Sequence, residues 1–406
     1  MHLVWRSGPV GDSSVSGAAV VSDLAVVVGV KSVIGLDAVS GTVRWAVDRA
    51  TGGLISPAID PTIGAKGAIV YAEGAGANGA VVAIDLSTHT RMWRTALSAA
   101  SVAAPTISGG RVFVGSGDGF VYSIDGSTGR VVWRTRTQGT VDSSLAVGDG
   151  RVFAIGETSS SSRLYALDLA SGRVAWSYSP GRVAVPSSSP SVVPGSVFVG
   201  FGDRSLVALQ TRTGLVRWAA EVRGDFSGAS APAFSSGSVF AADREGGLYR
   251  FDAKTGKRLW DYQFASFAQL SAPVVARETV YEGLDDGTIA AVSVRTGRLR
   301  WRSNFAAAPI GPLAPAGDLL LAAGEGTKGG LLAFQHDPAG VLVDQPSPSS
   351  VRPLIAVRNY AAAFAMVLVV LLLLFRLLSR SGLARDRAGD DSAAQAPLPP
   401  DSETPG

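Results

Sequence analysis

Five aspartates, Asp37, Asp85, Asp125, Asp168 and Asp252, each stand eight residues before a tryptophan. Carboxylates do general acid–base and metal chemistry, but only when two or more converge on one substrate or ion. Each of these lies in its own copy of a repeated pattern, so the set is spread out and does not converge. A Ser or Thr follows each Asp by three residues, which suits a carboxylate that caps its own turn. Two glycine runs match the dinucleotide fingerprint: Gly74-x-Gly76-x-x-Gly79 and Gly324-x-Gly326-x-x-Gly329. That fingerprint needs a helix next, whose N-terminus faces the pyrophosphate. Here AVVAID and LLAFQ follow, and both read as strands. Gly256-Lys257 is followed by Arg258, so it is no phosphate loop. His2, His89 and His336 have no ligand spacing, and no G-x-S-x-G elbow is present. The chain has no cysteine, which excludes disulfides, thiolate chemistry, Cys-based metal sites and a lipid-modified Cys.

The elements that must carry these residues form a repeat. Val112–Trp133, VFVGSGDGFVYSIDGSTGRVVW, reads as three short strands joined at Gly117-Asp118-Gly119 and at Gly126-Ser127-Thr128-Gly129. Similar copies span residues 26–45, 70–93, 152–176, 197–218, 239–260 and 280–301, and a decayed copy spans 319–343. Their tryptophans, Trp45, Trp93, Trp133, Trp176, Trp218, Trp260 and Trp301, recur every 40–48 residues, the period of four-stranded propeller blades. An aromatic at each outer strand is expected to pack on the neighbouring blade. Before each unit lies a segment of small residues and Pro (VSGAAVV, LISPAI, VAAPTI, VDSSLAV, PSVV, ASAPAF, SAPVV, GPLAP), which suits an innermost strand. The count is eight blades. Trp5 stands one period before Trp45, so Met1–Ser7 is expected to pair with the last blade and close the ring. The fold class is therefore all-β: an eight-bladed β-propeller of four-stranded blades over residues 1–345.

FVYSIDGSTGRVVW, LYALDLASGRVAW and LYRFDAKTGKRLW resemble the repeats of the PQQ-type β-propeller family, over roughly residues 1–343. That resemblance implies the fold but not one activity, because the family includes quinone-dependent alcohol dehydrogenases, outer-membrane assembly lipoproteins and many other propellers. In the enzymes, the resemblance implies an Asp base beside a calcium ion held by Glu, Asn and Asp, with the quinone stacked on Trp and often a disulfide of paired Cys. This chain has no Cys and three Asn: Asn78, Asn304 and Asn359. Asn78 belongs to a surface turn and Asn359 to the C-terminal segment, and no partner set surrounds Asn304. The reading is therefore no catalytic residue, no cofactor and no metal, with a quinone-dependent dehydrogenase-like redox enzyme as the alternative.

What remains is a binding surface, and the reading is a membrane-tethered, non-enzymatic protein-interaction scaffold or ligand sensor in the bacterial envelope. In a propeller the turns between second and third strands share one end with the connections between blades. Here those turns carry Asp118, Glu157, Asp203, Arg204, Asp243, Arg244, Glu245, Asp285, Asp286 and Glu325. Asp-Gly turns make good hairpins by themselves; as a set they would ring one rim with acidic charge able to meet a basic protein partner. The longer turns at 74–79, 157–162 and 324–329, and the connection Arg182–Pro190, are places for added specificity. The formal charge of +3 implies no basic field for nucleic acid.

Pro346–Pro353 reads as a linker. Tyr360–Phe375 holds sixteen residues without a charge, about 24 Å as a helix. With Arg358 and Arg376 snorkelling, Leu354–Leu378 is expected to be one transmembrane helix. Arg376, Arg380, Arg385 and Arg387 outweigh Arg352 and Arg358, so the tail 379–406, expected to be disordered, should be cytoplasmic and the propeller extracytoplasmic. Met1-His2-Leu3 runs straight into a strand with no secretion signal. Either the propeller is not exported by that route or the true start lies upstream.

Overall fold

The structure, a computed structural model, describes residues 2–7, 15–49, 53, 55–64, 66–75, 78–101, 103–181, 187–226, 230–264, 271–304, 310–324 and 330–335. The chain divides into two compact units, Met1–Asp344 and Gln345–Gly406. The linker, the expected membrane helix and the tail lie outside the described residues. Among the described residues no helix is long and apolar enough to cross a membrane.

The described strands form eight antiparallel sheets of four. We call the strands A to D from the centre outward. In blade three they are Thr106–Ser108, Arg111–Gly115, Phe120–Asp125 and Val131–Arg136, paired Thr106↔Phe113, Phe113↔Ser123 and Ser123↔Trp133. Strands B and C are runs of β-branched and aromatic residues buried on both faces, since each blade has neighbours on two sides. Blade eight takes Ile310–Ala316, Leu319–Gly324 and Gly330–Gln335 from the end of the ring, and its D strand is His2–Arg6. Pairing His2↔Gln335 and Arg6↔Leu332 closes the ring as expected and leaves the last blade no free C-strand edge.

The A strands are shorter than the apolar segments that announced them, three residues each in blades one to seven. Their upstream halves are held without strand geometry. Ser16, Ser188 and Ser271 donate their backbone N–H to Val28, Gly200 and Gly283, and their hydroxyls accept the N–H groups of those same residues. Small residues are needed because the A segments crowd around the centre. A Cβ on Gly17 would stand 2.6 Å from Ser56 Oγ and 2.9 Å from Pro312 Cβ, on the two neighbouring blades.

The core is a set of seams. Each of the eight buried clusters joins two adjacent blades; one packs Val70, Val81, Ala83 and Trp93 against Val112, Val114, Tyr122 and Ile124. The tryptophans belong to these seams, as expected. Trp133 Nε1 donates to Leu169 O (3.2 Å), and the Trp133 ring lies on Gly172, which stands at φ 71 and has no room for a Cβ. Trp93, Trp176, Trp218 and Trp260 donate likewise to Gly126, Thr211, Ala253 and Val294 of the next blade, at 2.7–3.0 Å. Trp5 packs on Gly41 of blade one and so serves as the tryptophan of blade eight. Trp45 instead stacks on His89 (centroids 4.4 Å apart), which stands at φ 58 where other turns have glycine. All the described strands and all eight seams lie within Met1–Asp344, so this unit carries its own core.

A bulge marks every D strand at one place. The residue before the tryptophan is skipped in the pairing, as Val132 is between Ser123↔Trp133 and Ile124↔Val131. The same step occurs in the other blades, including Val4 in the closing strand. The bulge turns two successive side chains outward.

Candidate functional site

At the C–D end of the ring, the repeated aspartates are consumed by their own turns. Asp125 Oδ1 accepts the backbone N–H groups of Ser127 (3.2 Å) and Thr128 (2.8 Å) and the Thr128 hydroxyl (2.8 Å). Asp37, Asp85, Asp168 and Asp252 repeat this with their own Ser or Thr. Such donors hold the carboxylates charged: the Thr128 hydroxyl and N–H keep Asp125 below the usual range, and the Thr255 hydroxyl and N–H do so for Asp252. They cap turns, as their spacing implied.

At the B–C end, the charged residues divide into two groups. One group turns inward and locks its turn. Asp118 accepts Phe120 N (2.9 Å) and the Tyr122 hydroxyl (2.5 Å). Glu157 accepts the Ser162 hydroxyl (3.1 Å) and both the backbone N–H (2.8 Å) and hydroxyl of Ser187, from the connection into blade five. Asp203 accepts Ser205 N and its hydroxyl. Asp243 is the extreme case: 2% exposed, it accepts Gly224 N, Glu245 N, Gly247 N and the Tyr249 hydroxyl, all within 3.0 Å. Burial raises the Tyr249 phenol, with the Asp243 carboxylate adding to the shift, so the pair stays a donor and an acceptor.

The second group faces solvent: Arg204, Arg244, Glu245, Asp285 and Asp286 are exposed. Arg204 occupies a left-handed turn position (φ 64), and Asp286 still accepts Thr288 N at 2.8 Å. Glu325 lies outside the described residues. The rim is also not purely acidic, since the Arg134 and Arg136 guanidinium groups stand 5.0 and 5.4 Å from the Phe120 ring centroid beside Asp118. Where a longer turn was expected at 74–79, Gly74↔Gly79 and Ala75↔Asn78 pair between two strands, and residues 76 and 77 lie outside the described residues. The fingerprint there has no helix after it. Part of the connection Arg182–Pro190 lies outside the described residues; Ser187 is the residue there that reaches Glu157.

One buried acid went unnoticed in the sequence. Glu282 is fully buried, and among the described residues neither carboxylate oxygen has a hydrogen-bond partner. It pairs with Ala290 in strand B of blade seven, two residues from Val280, and so shares the face that packs on Phe240, Ala242, Leu248 and Phe264. Burial raises its pKa well above the ordinary 4.5, with no charged neighbour contributing. The signal was available on alignment: at this column the other blades hold Val27, Tyr71, Val114, Ala154, Val199, Ala241 and Ala322.

Among the described residues, the quinone and calcium of the propeller dehydrogenases find no matching donor set. The centre is crowded by Gly17, Ser56 and Pro312 and by Ser189, whose hydroxyl accepts Ser144 N at 3.0 Å. Asn304 Nδ2 donates to Asp286 O (2.6 Å) and braces a turn. No group of three His, Asp or Glu among the described residues is arranged to hold a metal ion.

The family model described as outer membrane protein assembly factor BamB matches residues 77–229 and 184–360. The chain belongs to the PQQ-type β-propeller repeat family. Among solved structures, this propeller resembles BamB from Moraxella catarrhalis, with a TM-score of 0.67 and 20% identity over 82% of this chain and 99% of that one. It also resembles Sqt1 from Saccharomyces cerevisiae, with a TM-score of 0.67 and 14% identity over 82% and 98% of the two chains. A third is the quinohemoprotein alcohol dehydrogenase ADHIIG from Pseudomonas putida HK5, with a TM-score of 0.66 and 14% identity over 82% and 76%. These likenesses show the fold alone. No curated protein matches the chain in sequence.

Proposed function

We propose that this PQQ-type propeller is a non-enzymatic protein-interaction scaffold, tethered by Leu354–Leu378 to the cytoplasmic membrane with its blades outside and its tail inside. The observation that carries the reading is the division of labour on the B–C rim. Buried or self-satisfied carboxylates, Asp203 and Asp243 above all, fix turns whose next residues, Arg204, Arg244 and Glu245, are held out to solvent. Side chains displayed on turns already ordered lose little freedom on binding, which suits recognition of another macromolecule. The lack of a fitting donor set among the described residues, and the resemblance to BamB and Sqt1, favour the same reading over the dehydrogenase.

The test is site-specific photocross-linking in cells from Glu245 and Asp285, with protease accessibility of the propeller read in parallel. A discrete partner that is lost in a Glu245→Lys/Asp285→Lys variant, from a propeller cut from outside, is the expected result. Saturable uptake of pyrroloquinoline quinone with calcium by the purified chain, with alcohol-dependent dye reduction, would overturn the scaffold in favour of the enzyme. A propeller protected in intact cells would overturn the topology.

A further inference from the structure

The opposite end of the ring carries a second pattern. Eleven large apolar side chains are exposed among the described residues, and ten of them lie in D strands or C–D turns. Eight of them are exposed where the D-strand bulge turns two successive residues outward, and Val39 and Leu215 stand in the turns before those strands. Along this end the charge is uneven. In blades one to four, each stretch from turn Asp to the residue before the tryptophan holds one Asp against one Arg: Asp37 with Arg44, Asp85 with Arg91, Asp125 with Arg130, Asp168 with Arg173. In blades five and seven the capping Asp is replaced by neutral Gln210 and Ser293. Those two stretches carry Arg212 and Arg217, and Arg295, Arg298 and Arg300, with no acid; blade six sets Lys254, Lys257 and Arg258 against Asp252 alone. Within these stretches the excess of cations falls in three consecutive blades; the acids nearest to it are Asp261, 3.8 Å from Arg258, and Asp149, which accepts the Thr211 hydroxyl of blade five. Between them stand Leu215 (62% exposed), Val216 and Leu259.

We propose that the C–D end of blades five to seven docks on an anionic lipid surface. The cations meet the phosphate headgroups, and Leu215, Val216 and Leu259 enter the interface between them. Cations interleaved with single apolar side chains suit a headgroup layer, where charge attracts and each apolar group adds burial. The apolar residues are few, Leu215 and Val216 on blade five and Leu259 on blade six, and stand among cations on an outer turn and outer strands, which suits a planar headgroup layer; an acidic peptide would want them gathered in a groove. This surface is distinct from the B–C rim and leaves that rim directed away from the bilayer.

The experiment is flotation of the propeller unit, residues 1–344, with vesicles of phosphatidylcholine and of phosphatidylcholine with phosphatidylglycerol. Binding to the anionic vesicles alone is expected. Gln210→Asp/Ser293→Asp restores the capping carboxylates the other turns use, so it leaves the melting temperature unchanged or higher. It should weaken vesicle binding about 30-fold, from roughly one kilocalorie per mole for each charge. Leu215→Asp/Leu259→Asp should weaken it further. Equal binding to neutral vesicles, no binding to anionic ones, or affinity unchanged in Gln210→Asp/Ser293→Asp would overturn the proposal. So would displacement from the vesicles by a polyglutamate peptide or an RNA oligomer at lower concentration than soluble phosphatidylglycerol headgroup requires.

Discussion

Glu282 is a carboxyl group in a column of seven apolar residues, against an apolar seam, with no donor among the described residues. Such a group stays protonated, because burial disfavours the charge. Its folded pKa lies above the unfolded one, so the folded protein binds the proton more tightly. Stability is then fully present below the ordinary glutamate value and is lost as pH rises from there toward the folded value. We expect the melting temperature to fall with rising pH over that range and the fall to flatten in Glu282→Gln. Glu282→Leu should flatten it and also stabilise the protein by about 1–3 kcal/mol near neutrality, by removing unpaired buried oxygens. Calorimetry of the three proteins across pH checks this; parallel profiles would mean that Glu282 has found a partner. Asp243, equally buried, differs because four donors surround it, and the same substitution there should destabilise.

At the scale of the element, the unit is a D-strand tryptophan seated on the next blade's C–D turn. Trp133 shows the three parts: ring burial, the Nε1 bond to Leu169, and a left-handed Gly172 beneath it. Trp133→Ala should cost about 3–5 kcal/mol, as large-to-small changes at buried aromatic sites do. Chemical denaturation measures it, and a loss under 1 kcal/mol would show that the seam does not depend on the ring. This unit was legible in the sequence because Asp and Trp keep one spacing. The locked B–C turns were only partly so. Asp118, Glu157, Asp203 and Asp243 read as exposed rim acids, but Glu157 and Asp243 take partners, Ser187 and Gly224, from blade connections of variable length that no periodicity reveals.

For the whole molecule, stability depends on closing the ring. His2–Arg6 supplies the fourth strand of blade eight and brings Trp5 onto Gly41. Deleting residues 1–6 should free the edge of Gly330–Gln335 and open the seam between blades eight and one. We expect a marked loss of melting temperature and self-association through that edge. Sedimentation with thermal melting distinguishes this from a monomer of unchanged stability, which would show that closure is dispensable.

Eight blades, the closing strand and the capping role of the aspartates were determined by the sequence alone. All three rest on short-range spacing: period-two apolar runs, an Asp eight residues before a Trp, and one extra Trp a period upstream. The tertiary structure alone decided which charges are available. Strand alternation and seam packing bury Glu282 and Asp243, and donors from neighbouring connections turn Glu157 inward. The D-strand bulge pushes Val216 and Leu259 out beside Arg217 and Arg258. Burial and partnership depend on what the next blade brings to a residue, and that residue lies about 40 positions away in the chain.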